Sequence, residues 1–262
     1  MRVINCFMKI DVLGVKINPD SKSTILTEIG SRLDSGKSTF IVTPYSETLV
    51  AAQKDEEFRN VLNSADLAVP DGAGVVWAAS FLEKIQFERT PGRDFFLDLC
   101  ALAESRGESV FLLGGFGDTP EIVGQKLKEK FPHLKIAGTS NYPPPLARGG
   151  DGGEVEPTGE KNSKIINLIN SSNTDFLFVA LGPISQEKWI FHNLPNLRVR
   201  LAMGVGGTFD YIAGKRPLPP QFLASAGLEW LWRLLTQPWR FFRILKGVLG
   251  LIWYVIRARM TH

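Results

Sequence analysis

Short apolar runs recur along this chain, each stopped by a turn and followed at once by a helical pattern. They fall at residues 38–42, 67–69, 109–113, 175–180 and 199–203, and glycine stands in the turn after each of the last four. Apolar runs that alternate with helices build a parallel sheet with right-handed crossovers, buried on both faces. The expected fold class is therefore α/β: a doubly wound, mainly parallel, Rossmann-like sheet with its turns gathered on one edge. Open sheets of this kind take their ligands at that carboxyl edge.

One of these turns places a charge there. In LAVPDGAG (67–74) the apolar run stops at Pro70 and sets Asp71 between a proline and a glycine, with a helix expected from Val75. Gly72 and Gly74 allow close backbone approach or positive φ. The plain alternative is that Asp71 only caps the helix, as aspartates often do.

The rest of the chain fits the same layout. Residues 9–17 alternate as a first strand or hairpin. Helical periodicity marks 23–33, 47–53, 56–63, 95–103 and 163–170, and Pro120 suits the first turn of another helix opened by Asp118. Residues 134–138 read as a strand. The stretch 141–162, rich in proline, glycine and charge, reads as a surface loop or lid.

Past Gly214 the character changes. KRPLPP (215–220) is stiff and extended, and two bulky apolar helical stretches follow, separated by Gln237 and Pro238. From residue 227 onward there are six Arg or Lys against one acid, so the net charge of +3 belongs to this tail. We therefore divide the chain into a catalytic α/β domain, 1–214, and a basic amphipathic appendage, 215–262. Trp and Phe beside Arg suit a helix lying in a membrane interface, the alternative being a helix packed on its own domain. The longest apolar run, 247–256, is shorter than the ~20 residues of a spanning helix. Two cysteines and three unpaired histidines offer no disulfide scaffold and no metal site, and no secretory signal is seen at the N-terminus.

Taken in order, TPYSETLV (43–50), ADLAVPDGAGVV (65–76), ERTPG (88–92), LGPISQEKWI (181–190), GVGGTFDYIAG (204–214), GLEWLWR (227–233) and PWRFFR (238–243) form a set. That set resembles the WecG/TagA/CpsF family of bacterial glycosyltransferases (glycosyltransferase family 26), over residues 10–245. The resemblance implies an inverting transfer from a UDP-sugar to a polyprenyl-pyrophosphate-linked glycan in cell-surface polysaccharide synthesis, without a metal or other cofactor. It implies a protein bound peripherally to the cytoplasmic face of the membrane. Asp71 matches the family's general base, Thr43 its motif threonine, Arg89 its loop arginine, and Gln186 and Glu187 its Gln-Glu elbow. Arg233, Arg240 and Arg243 match the arginines that face the diphosphates. The chain departs from the pattern at Tyr45, where the family usually has asparagine, and at Ile184 and Ser185, where it commonly has lysine next to the glutamine. Lys188 stands close to that elbow.

The residue types suit the chemistry. An inverting transfer needs a carboxylate to take the acceptor's proton, for which Asp71 stands, with Thr43 and Gln186 beside it as catalytic candidates. It also needs the departing diphosphate held by guanidinium groups and backbone amides. Arg89, Arg233, Arg240 and Arg243 supply the first, and Gly114, Gly115, Gly206 and Gly207 the second. Tyr45 and Glu187 complete the expected substrate contacts. Each has a plainer reading: Arg89 paired with Glu88 or Asp94, Gln186 opening a helix, the glycines only turning the chain. A dinucleotide-dependent oxidoreductase lacks its GxGxxG after the first strand. A partner-binding module built on the basic tail is the non-enzyme alternative. Nucleic acid is not an expected partner, and a homo-oligomer is compatible with the sequence.

Overall fold

The computed structural model describes residues 8–141, 159–220, 223, 229–236 and 241–261. A short antiparallel hairpin, β1 (Ile10–Val12) and β2 (Val15–Ile17), precedes α1 (Lys22–Asp34). Then come β3 (Thr39–Val42), α2 (Ser46–Ala52), α3 (Glu56–Ser64), β4 (Leu67–Ala68), α4 (Ala73–Glu83) and α5 (Gly92–Arg106). The second half runs β5 (Ser109–Gly114), α6 (Thr119–Lys130), β6 (Lys135–Ser140), α7 (Glu160–Ser171), β7 (Phe176–Ala180) and α8 (Ser185–Asn193). It closes with β8 (Leu201–Gly204), α9 (Thr208–Ile212), α10 (Glu229–Thr236) and α11 (Phe241–Thr261). Residues 142–158, most of the expected loop, lie outside the described residues.

The six strands of the main sheet are all parallel and stand in the order β4-β3-β8-β7-β5-β6. Successive side chains of a strand face opposite ways, and the core divides accordingly. Phe40, Val42, Phe111, Leu113, Leu177, Val179 and Ala202 join the cluster under the hairpin and α2, α3, α4, α7 and α8. Ile41, Val110, Leu112, Phe176, Phe178, Leu201 and Met203 join the other, under α1, α5, α6 and α9. Both faces are covered, so the sheet is doubly wound, as expected.

The end of the chain is tied to this core. Leu251 and Val255 of α11 are buried in the first cluster, and Gly247 and Gly250 bring the helix onto α2. A β-carbon on Gly250 would lie 3.1 Å from Val50, and one on Gly247 would lie 2.7 Å from Glu47. Gly74 of α4 leaves room in the same way for Leu251, 3.1 Å from where its β-carbon would stand. One face of α11 is thus core, packed at close range through small residues. Its opposite face, with Phe242, Leu245, Leu249, Ile252, Trp253 and Ile256, is exposed.

Candidate active site

Because the strands are parallel, every turn after a strand opens on the same edge, in sheet order. Asp71 follows β4, Thr43 and Tyr45 follow β3, residues 204–207 follow β8, the Gln186 elbow follows β7, and Gly114 and Gly115 follow β5. At ~4.8 Å per strand the row from β4 to β5 spans about 19 Å. Strands β5 and β7 send their chains in opposite directions, toward β6 and toward β8, so the crevice between them is a topological switch point.

At the β3–β4 end, three loops are joined by backbone hydrogen bonds. Asp71 N–H donates to Pro44 O at 2.9 Å, and Thr90 N–H donates to Pro70 O at 2.9 Å. The Arg89 loop is therefore held against the Asp71 turn. The Asp71 and Thr43 side chains converge over the first residue of α5: a β-carbon on Gly92 would lie 3.1 Å from Asp71 Oδ2 and 3.7 Å from Thr43 Oγ1. Gly72 adopts φ 96°, open to glycine, in turning the chain from Asp71 into α4. Asp71 is half-buried at the mouth of that helix, with Gly72 in the N-cap position. Tyr45 opens α2, its N–H donating to Thr48 Oγ1 at 2.8 Å. Arg93 pairs with Asp94, at 2.7 Å.

The middle of the row is built differently. Gln186 and Glu187 are both 4 % exposed. Glu187 Oε2 accepts from Ile184 N–H at 2.8 Å and Oε1 from Gln186 Nε2 at 2.7 Å, while Gln186 Oε1 accepts from Gly206 N–H at 2.9 Å. Burial pushes the Glu187 carboxyl up to about 7, against the pull of these hydrogen bonds. Ile184 holds φ 72°, ψ −56°, a region a β-branched residue rarely enters. Lys188 does not supply a cation to this elbow: it turns to α3, 2.9 Å from Asp55 and 2.5 Å from Glu57. The reason is helical geometry, since two positions along a helix is more than half a turn around it.

At the switch point Gly114, φ 93°, lies so close to β7 that a β-carbon would stand 2.6 Å from Ala180 O. Gly115 N–H donates to the same carbonyl at 3.0 Å. These glycines let β5 and β7 close on each other, with Leu181, Thr119 and Pro120 packed beside them. Gly207 is exposed, with Arg216 beside it, and Arg216 pairs with Asp210 at 2.7 Å. Lys215 was not expected at the site, yet its Nζ joins Asp118 at 2.6 Å and Thr119 at 2.9 Å beside the Gly115 turn. Its place in a proline-rich linker gave no signal of this. Arg240 lies outside the described residues; Arg233 and Arg243 fall on the backbones of α10 and α11, with side chains outside the description. Among the described residues no cluster of three or more His, Cys, Asp or Glu could hold a metal ion.

The family model described as Glycosyl transferase WecG/TagA/CpsF family matches residues 10–262. A Bacillus subtilis (strain 168) protein named N-acetylglucosaminyldiphosphoundecaprenol N-acetyl-beta-D-mannosaminyltransferase is 32% identical over 82% of this chain and 78% of its own. A protein of the same name from Bacillus spizizenii is 34% identical, over 82% and 77%. Another, from Staphylococcus aureus (strain MRSA252), is 24% identical over 96% and 93%.

Proposed function

The chain belongs to the WecG/TagA/CpsF family of glycosyltransferases, and from that premise we propose that it moves a sugar from a UDP-sugar to a polyprenyl-diphosphate-linked glycan, with inversion and without a metal. The observation that carries this reading is the meeting of the Asp71 carboxylate and the Thr43 hydroxyl over Gly92, at the sheet edge where such folds bind ligands. The acceptor class follows the names of the relatives, each an N-acetylmannosaminyltransferase acting on a diphosphoundecaprenol-linked sugar. In the reaction an acceptor hydroxyl oxygen forms the new bond to the anomeric carbon and its proton passes to Asp71. The bond from that carbon to the donor phosphate breaks, and UDP leaves with the electron pair. Arg89, on the loop tied to the Asp71 turn, and the Gly207 N–H stabilise the charge that leaves; the neighbouring Val205 and Gly206 N–H groups are already bonded, to Val179 O and Gln186 Oε1.

The membrane is the proposed partner of the outer face of α11. Among the described residues no helix is long and apolar enough to cross a bilayer. Instead, Leu245, Leu249, Ile252, Trp253 and Ile256 line one exposed side, Lys246, Arg257 and Arg259 flank it, and Arg257 lies 5.2 Å over the Trp253 ring. Trp77 and Phe81 extend the apolar surface on α4, stacked at 5.8 Å. This is the make-up of a helix lying in the interface, with cations at the level of anionic headgroups.

Calorimetric titration of the purified chain with UDP, with and without a chelator and with NAD as comparison, tests the donor class. UDP binding that a chelator leaves unchanged is the expected result. Binding of NAD alone would overturn the reading.

A further inference from the structure

A chain of hydrogen bonds runs from the elbow that opens α8 to the turn that follows β8. It passes from Ile184 N–H to Glu187, from Glu187 to the Gln186 amide, and from that amide to Gly206 N–H. Both ends are backbone N–H groups, which only donate. The two side chains between them must therefore accept at each end, and at their own junction one must donate to the other. One carboxylate and one amide satisfy all three contacts. Two amides leave an NH2 group facing an N–H at one end, and two carboxylates set oxygen against oxygen in the middle. Glu187 thus dictates which way the Gln186 amide points.

We propose that Glu187 is a positioning residue: through the Gln186 amide it holds the 204–207 turn in the shape that receives the donor. The surroundings leave no substitute for this link. Both side chains are buried, so water does not replace them. A β-carbon on Gly204 would lie 2.7 Å from Gln186 Nε2, so the amide is clamped against the strand end. The same side chain holds Ile184 in a backbone conformation, φ 72° and ψ −56°, that a β-branched residue rarely adopts. The carboxyl group sits in the first turn of α8, facing the helix N-terminus. Lys188 is committed to Asp55 and Glu57 on α3, and Asp210 on α9 to Arg216.

Three variants of the full chain test it: Glu187→Gln, Gln186→Glu, and the exchange that combines the two. The exchanged pair presents the same order of acceptors to Ile184 and Gly206 as the natural one. Two quantities are read, amide hydrogen exchange at Gly206 and the kinetics of sugar transfer. The transfer readout rests on the proposed UDP-sugar activity; the exchange readout does not. Each single variant is expected to speed exchange at Gly206 by about tenfold or more, the effect of losing one buried hydrogen bond. Each is also expected to raise the donor KM more than it lowers kcat, and the combined variant to restore both quantities. Natural exchange in Glu187→Gln, or fast exchange in the combined variant, would overturn the proposal. Restored exchange without restored donor KM would overturn it too, since Gln186 would then be touching substrate directly. Restored exchange, with no transfer even by the natural chain, would uphold the relay and sink the UDP-sugar reading instead.

Discussion

Asp71 and Gly92 meet where β4 ends and α5 begins: the carboxylate lies where only a residue without a side chain leaves it space, 3.1 Å from the site of the missing β-carbon. The absence of a side chain at Gly92 lets the proposed base lie close against the first turn of α5. Replacing Gly92 with alanine is therefore expected to shift the carboxylate by a few tenths of an ångström. Transfer should slow by about tenfold while the unfolding midpoint changes little, since misplaced catalytic groups lose rate steeply. Steady-state rates and thermal unfolding of the same preparation check this.

Asp71→Asn keeps the shape of the site and removes the base. We expect transfer to fall by about 10²–10⁴-fold, the usual contribution of such a group, with UDP affinity within a few fold. Loss of UDP binding in calorimetry alongside activity would assign Asp71 to the donor rather than the proton.

A third test concerns Gly74, where a β-carbon would overlap Ser46 Oγ. Gly74→Ala should destabilise the protein by about 1–3 kcal/mol through overpacking. Adding Ser46→Ala should recover part of that loss in denaturant unfolding. A double variant no more stable than the single would show that the strain lies at Leu251 instead.

The tail offers two separable changes. Deleting residues 246–262 removes Leu251 and Val255 from the core and should cost several kcal/mol, on the scale of large core truncations. Replacing the exposed Leu249, Ile252 and Ile256 with serine should leave the unfolding midpoint in place and release the protein from anionic vesicles in a sedimentation assay. Equal vesicle binding before and after would return that face to some other partner.

Glu187 gives a pH dependence of defined sign. Its carboxyl is raised to about 7 in the folded chain, so the folded state binds that proton more tightly than the unfolded state. The stability this contributes is full below the ordinary carboxylate range and is lost as pH rises through about 7. Unfolding free energy should therefore fall from about pH 5 to about pH 8. In Glu187→Gln that fall should be shallower by this group's share.

Much of this was legible in the sequence, for identifiable reasons. Strands buried on both faces read as unbroken apolar runs, which is how residues 109–113 and 175–180 marked β5 and β7. The Pro70-Asp71-Gly72 turn marked the edge because its residue types allow little else. What stayed hidden is what depends on direction. Gln186 and Glu187 are plainly polar, yet nothing in their spacing says that they point inward to each other and to Gly206. Lys188 adjoins them in sequence and faces α3 instead. In the sequence Gly247 and Gly250 only fall within the longest apolar run; the packing shows them as the places where α11 touches α2.

That seating has a geometric consequence. A helix with its side chains is about 10–12 Å across, and α11 presents one side to the core and the other outward. With lipid along the outward side, α11 becomes a spacer of fixed thickness. The height of Asp71 above the headgroups is then set by packing at Gly74, Gly247 and Gly250, not by the reach of a mobile arm. A tethered acceptor would be measured against that height, and a sugar carried too far from its lipid would present the wrong hydroxyl to the base.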